Sequence, residues 1–187
     1  MDKKTLRKFY FDKRQALSLG QIKEKSQIIS KTILNFLEIR KKNNISLYIS
    51  INNEVETKSI IDSLTKKGKN IFIAKCPAGK SNYFLSQFTN WNNLEEGPRK
   101  ILQPKAAKII NPNLIDVAIL PGLAFSKGGI RLGYGKGVFD RLFSKSNAIK
   151  IGLAYDFQIV EKLPKEKHDL TMDLVVTESR ILRIDST

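Results

Sequence analysis

Four short apolar runs, Ile45–Ile49, Ile71–Ala74, Ile115–Leu120 and Ile149–Ala154, limit what this chain can fold into more than any other feature. Each has the length of a strand. None shows the apolar–polar alternation of a strand with one wet face, so each requires cover on both sides. Helical stretches alternate with them. A basic amphipathic helix is predicted from Lys3 to about Leu17, with Leu6, Phe9 or Tyr10, and Leu17 inward and a break at Ser18 or Gly20. A second runs from about Gln21 to Ile39, and a third follows Thr57 as N-cap and stops at Gly68. Shorter helices are expected at Val138–Ser144 and Phe157–Leu163. Tyr83–Phe88 reads as an antiparallel excursion, 90–108 as irregular, and Asp173–Val176 and Ile181–Ile184 as closing strands. Buried strands alternating with helices give an α/β fold, a mostly parallel sheet flanked by helices. With no internal repeat and no low-complexity linker, residues 1–187 are expected to form one domain.

The segment Lys127 to Arg141, KGGIRLGYGKGVFDR, stands apart from that pattern. It holds Gly128, Gly129, Gly133, Gly135 and Gly137, threaded with Arg131, Lys136 and Arg141 and followed in the helix by Asp140. Glycine removes the Cβ that keeps backbone N–H groups away from a ligand, and a run of such groups ahead of a helix suits an anion such as phosphate. A plain turn at Gly128-Gly129 is the simpler reading. Familiar nucleotide motifs do not fit, since no Ser or Thr follows Lys136 and the glycine spacing is not that of a dinucleotide-binding turn. The context favours a ligand: strand Ile115–Leu120 leads to Pro121-Gly122, then the loop, then a helix, which puts the loop at the carboxyl end of a strand.

The run Leu120-Pro121-Gly122-Leu123-Ala124-Phe125, with Gly129, Arg131 through Gly137, and Phe139-Asp140-Arg141 after it, resembles the signature of the 5-formyltetrahydrofolate cyclo-ligases, also called 5,10-methenyltetrahydrofolate synthetases. Matches in family order extend over nearly the whole chain: Lys3–Arg7 near the start, Tyr48, Ser50, Glu54 and Thr57, then His168-Asp169 and Thr177-Glu178. The resemblance implies a three-layer architecture similar to the ribose-phosphate isomerase and CoA-transferase folds. It implies ATP-dependent conversion of 5-formyltetrahydrofolate to 5,10-methenyltetrahydrofolate, with ATP as co-substrate and Mg²⁺ as cofactor. By the same carry-over, ATP meets Lys3, Lys4, Thr5, Leu6 and Arg7, and then Arg131, Leu132, Gly133, Tyr134, Gly135, Lys136, Gly137, Val138 and Phe139. Arg131 and Lys136 are the catalytic cations, one a planar fork and the other a point charge. Both are expected to be open to solvent when no ligand is bound. Folate meets Ile49, Glu54 and Tyr134 through Val138, and the metal is assigned to Asp140 and Asp169. From the residues alone, Lys3 and Arg7 also read as a solvated helix end, Asp140 as a first-turn acid stabilised by the helix dipole, and Asp169 as an exposed loop acid.

The net charge is +15 in 187 residues, which raises nucleic acid as a partner. The cations are scattered, as at Lys41-Lys42, Lys66-Lys67 and Lys165/Lys167, and are not interleaved with aromatics, so no nucleic-acid partner is expected. No membrane span or signal peptide is expected either, and the lone Cys76 reads as a buried thiol in a reducing cytoplasm. The resemblance implies small-molecule partners, ATP and a folate that can carry a polyglutamate tail, and a monomer is expected. Three departures from the family pattern stand out: Val138 and Phe139 where two tyrosines are common, and Gln103-Pro104 where Glu-Pro is common. They keep open a related nucleotide-binding protein with a drifted substrate.

Overall fold

In the computed structural model, residues 1–77, 82–105 and 108–184 are described, at 37 and 38 by backbone alone. The amino-terminal half runs α1 (Lys3–Gln15), α2 (Leu19–Asn35), α3 (Leu37–Arg40), β1 (Asn44–Leu47), α4 (Lys58–Lys66), β2 (Asn70–Lys75), β3 (Phe84–Phe88), β4 (Leu94–Glu96) and β5 (Leu102–Pro104). The rest runs β6 (Val117–Pro121), β7 (Ala124–Ser126), β8 (Arg131–Leu132), α5 (Val138–Phe143), β9 (Ile149–Leu153), β10 (Ile159–Val160), β11 (Leu174–Val176) and β12 (Ile181–Arg183).

The four apolar runs pair side by side. They lie in a seven-stranded sheet of order β12-β11-β9-β6-β1-β2-β3, in which β11, β9, β6, β1 and β2 are parallel and the two edge strands antiparallel. In register, Ile45 sits between Ile71 and Val117, and Ile119 opposes Ile151. Every residue of β6 is buried, and its side chains divide between the faces. Val117 and Ile119 pack under α2 and α4 with Ile29, Ile33, Ile60 and Ile61. Ala118 and Leu120 face the other way, onto Phe125 and the α5 residue Phe143. Each of these fully buried Ile, Leu and Phe side chains stabilises the fold by about 1.5–3 kcal/mol relative to exposure. A small sheet of order β10-β7-β8 and helix α1 complete the second layer, joined by Tyr10, Leu123, Ala124 and Leu132. No helix among the described residues is long and apolar enough to cross a membrane.

Several local expectations are corrected. Gly20 does not break a helix: it lies in the first turn of α2, which starts at Ser18 through a reciprocal capping box with Gln21. Thr57 precedes α4 without capping it, because its hydroxyl donates instead to the Tyr48 carbonyl at 2.6 Å. No helix spans Phe157–Leu163; a single 3₁₀ turn at Asp156–Gln158 leads into β10, which pairs in parallel with β7. The stretch after Asn90 contains order that periodicity did not reveal, an antiparallel β4–β5 hairpin. Three-residue strands are too short to show a period.

One topological feature places the site. From β1 the chain proceeds outward to β2 on one side, and from β6 to β9 and β11 on the other. The order reverses between the neighbours β1 and β6, and a crevice opens beyond the carboxyl ends of strands at such a point.

Candidate active site

A cleft of about 480 Å³ lies there. Its floor is Tyr48 and Ile49 after β1, Ile73 and Ala74 at the end of β2, and Pro121 at the end of β6. The tip of the β4–β5 hairpin forms one wall, and α1 with the glycine segment forms the other.

Cations dominate the second wall. Lys3, Arg7 and Phe11 recur at the spacing that puts residues on one helix face, and all three line the cleft. The Arg7 Nε donates to the Gly133 carbonyl at 3.0 Å, which ties α1 to the loop. Gly135 has φ +92°, and a Cβ there would lie 3.2 Å from the Arg7 guanidinium carbon; glycine is what lets the two pass. Arg131, expected to be open to solvent, is only 6% exposed. Its Nη2 donates to both Asp140 oxygens at 2.8 Å each, and its Nη1 to the Pro121 carbonyl at 3.1 Å. Lys136 is exposed and makes no ion pair or hydrogen bond among the described residues.

The inner end of the cleft is acidic. Glu54 is 5% exposed. Its Oε2 accepts the Ile51 N–H and its Oε1 the Tyr134 hydroxyl, both at 3.0 Å. Burial pushes its carboxyl above the usual range, while the charge of Arg14 and those two hydrogen bonds pull it back. Burial, then the Glu54 charge, pushes the Tyr134 phenol up to about 12, so it stays a neutral donor.

Two further carboxylates line the mouth. Asp140, in the first turn of α5, accepts the Leu170 N–H at 3.3 Å in addition to the Arg131 bonds, which places it beside the backbone of Asp169. Asp169 accepts Lys3 Nζ at 2.6 Å and the Glu166 N–H at 2.7 Å. Burial alone would raise its carboxyl; the bonds from Lys3 and the Glu166 backbone hold it below the ordinary value instead. Glu166, His168 and Asp169 bring donor atoms within 4.8 Å of one another, but the first two are exposed and His168 offers nitrogen. Asp140 and Asp169 supply hard oxygen donors, the chemistry that magnesium takes from proteins.

Of the residues assigned from the sequence, Lys3, Arg7, Ile49, Glu54, Asp140, Asp169 and all of 131–139 line this one cleft. Lys4 and Thr5 are exposed and lie outside the lining, and Leu6 packs on the Tyr10–Leu132 cluster. The structure adds residues that the sequence reading did not assign to the site: Phe11, Tyr83 and Arg99 in the lining and Arg14 beneath it, with Gln103, noted only as a departure from the family pattern, also in the lining. Gln103 holds Cys76 by both backbone groups, its Oε1 accepting the N–H at 2.9 Å and its Nε2 donating to the carbonyl at 3.2 Å. An amide satisfies both; a carboxylate would lack the donor. Arg14 carried a usable signal, lying seven residues after Arg7 and therefore on the same helix face.

Known proteins resemble this chain over nearly its whole length. The 5-formyltetrahydrofolate cyclo-ligase of Mycoplasma genitalium is 34% identical over 179 residues, covering 94% of this chain and 98% of that protein. The enzyme of the same name from Haemophilus influenzae is 32% identical over 170 residues, covering 87% and 91%. The solved structure of Aquifex aeolicus 5,10-methenyltetrahydrofolate synthetase superposes with a TM-score of 0.89 at 30% identity, over 100% of this chain and 95% of that one. A profile of the 5-formyltetrahydrofolate cyclo-ligase family matches residues 1–178, and the chain belongs to that family.

Proposed function

We propose that this protein converts 5-formyltetrahydrofolate and ATP to 5,10-methenyltetrahydrofolate, ADP and phosphate. The observation that carries the reading is the union, in a single cleft, of a phosphate-suited glycine loop with several cations and a buried carboxylate.

The chemistry follows from the substrate. A formamide carbon is a poor electrophile and its oxygen a poor leaving group. The formyl oxygen attacks the γ-phosphorus, ADP departs, and that oxygen becomes part of a phosphate ester. Folate N10 then bonds to the carbon, its proton passes to solvent, and the carbon–oxygen bond breaks to release phosphate. No nucleophile from the protein is needed. Catalysis consists of positioning and of charge stabilisation on the transferring phosphoryl. Lys136, unpaired and exposed, meets the phosphates as a mobile point charge, and Arg131 presents a guanidinium held in place by Pro121 and Asp140. Lys3 and Arg7 extend the same wall. Glu54 accepts hydrogen bonds from the N–H edge of the pterin, and Ile49 packs against it. Asp140 and Asp169 are the residues that would hold magnesium, which when bound neutralises charge on the phosphates.

The test is direct. Purified protein given Mg-ATP and 5-formyltetrahydrofolate should produce the ultraviolet absorbance of the methenyl compound with one ADP per turnover, and none without ATP. ADP release with no methenyl product would reassign the cleft to another carbonyl substrate.

A further inference from the structure

Beneath the cleft lies a buried charge that the reaction above does not use. The Arg14 side chain, in the last turn of α1, is 1% exposed. Its Nε donates to the Asn52 carbonyl at 2.9 Å and its Nη1 to the Gly122 carbonyl at 3.2 Å. Nη2 donates to the Tyr134 hydroxyl, and Nη1 stands 4.0 Å from Glu54 Oε1. The guanidinium carbon is 5.5 Å from the centroid of the Tyr134 ring. One cation thus touches the loop before α4, the turn after β6, the glycine segment and the buried acid.

The order of donors in this cluster is fixed by chemistry. Arginine can only donate, so the single proton of the Tyr134 hydroxyl must point to Glu54. Glu54 then receives an O–H on Oε1 and an N–H on Oε2, so both oxygens act as acceptors. A buried carboxylate in this state needs a nearby cation, and among the described residues Arg14 is the one within 4.0 Å. Tyr48 is the remaining titratable group facing Glu54. Its hydroxyl donates to the Val55 carbonyl, and burial pushes it well above its ordinary value, so it stays neutral.

We propose that Arg14 is a positioning residue for folate recognition, holding Glu54 as an acceptor-only carboxylate and, through the Tyr134 hydroxyl, tying the glycine loop to it. The inference rests on the reading that Glu54 meets the folate. It also gives Tyr134 a role apart from phosphate: the loop that closes on ATP cannot shift without disturbing the acid that holds the other substrate.

The experiment measures affinity for 5-formyltetrahydrofolate by calorimetry across pH, with Tyr134→Phe made in the native protein and in Glu54→Gln. Tyr134→Phe keeps the ring over Arg14 and deletes the hydroxyl's two hydrogen bonds, the one donated to Glu54 and the one accepted from Arg14. Its folate Kd should rise about tenfold. Loss of a bond that favours the ionised acid raises the pH at which folate affinity falls on acidification. Arg14→Gln should shift that limb in the same direction and further. In Glu54→Gln, adding Tyr134→Phe should change folate affinity little. A native protein that binds no folate would remove the underlying reading and this one with it. If the native protein binds but the acid limb stays put, or the hydroxyl matters equally without the carboxylate, the positioning role is wrong.

Discussion

Arg131 and Lys136 face the same cleft, yet their removal should have different consequences. Lys136→Ala should lower kcat/KM by roughly 10²-fold, the scale for losing one preorganised charge on a transition state, with the melting temperature unchanged because the side chain is exposed and unpaired among the described residues. Arg131→Ala should lose comparable activity and also about 3 kcal/mol of stability, since it strips Asp140 of its partner in a pair whose side chains are 4% and 13% exposed. Steady-state kinetics and thermal melts on the two variants check both outcomes. Asp140→Asn adds a third: the nearly isosteric amide should right-shift the Mg²⁺ activation curve as well as loosen Arg131. An altered melt with an unaltered magnesium curve would leave Asp140 only its ion-pair role. The glycine segment drew attention to Arg131 and Lys136 from the residues themselves, whereas the metal role of Asp140 came only from the family resemblance. What the sequence did not reveal was pairing. A basic residue in a chain of charge +15 reads as solvated, and only the fold shows that Arg14 and Arg131 are buried.

At the scale of elements, legibility followed period and length. The runs at β1, β2, β6 and β9 were visible because a strand buried on both faces is continuously apolar. The hairpin β4–β5, a wall of the cleft, was not, because its three-residue strands carry no pattern and its tip, despite Gly97-Pro98, takes positive φ at Arg99 (+62°) and Lys100 (+59°) rather than at a glycine. Caps were ambiguous for a different reason. Ser18 and Thr57 are both good N-cap residues, but the Thr57 hydroxyl finds a carbonyl across the chain while the Ser18 hydroxyl accepts Gln21 N–H at 3.2 Å. Ser18→Ala should therefore cost about 1 kcal/mol, a fall of about 2–4 °C in melting temperature for a chain of this size, with kcat and KM unchanged because α2 does not line the cleft.

For the whole molecule, the reversal of strand order between β1 and β6 explains why residues from Lys3 to Asp169 meet in one place. That arrangement sets the cations of α1 and the glycine segment and the buried Glu54 in a single cavity, and the proposed chemistry depends on the formyl oxygen becoming the leaving group. The measurement that tests this most directly uses 5-formyltetrahydrofolate labelled with ¹⁸O in the formyl group, turned over by the native protein with Mg-ATP, with the released phosphate analysed by mass spectrometry. The account predicts one labelled oxygen in each inorganic phosphate formed. Methenyl product formed with unlabelled phosphate would contradict it.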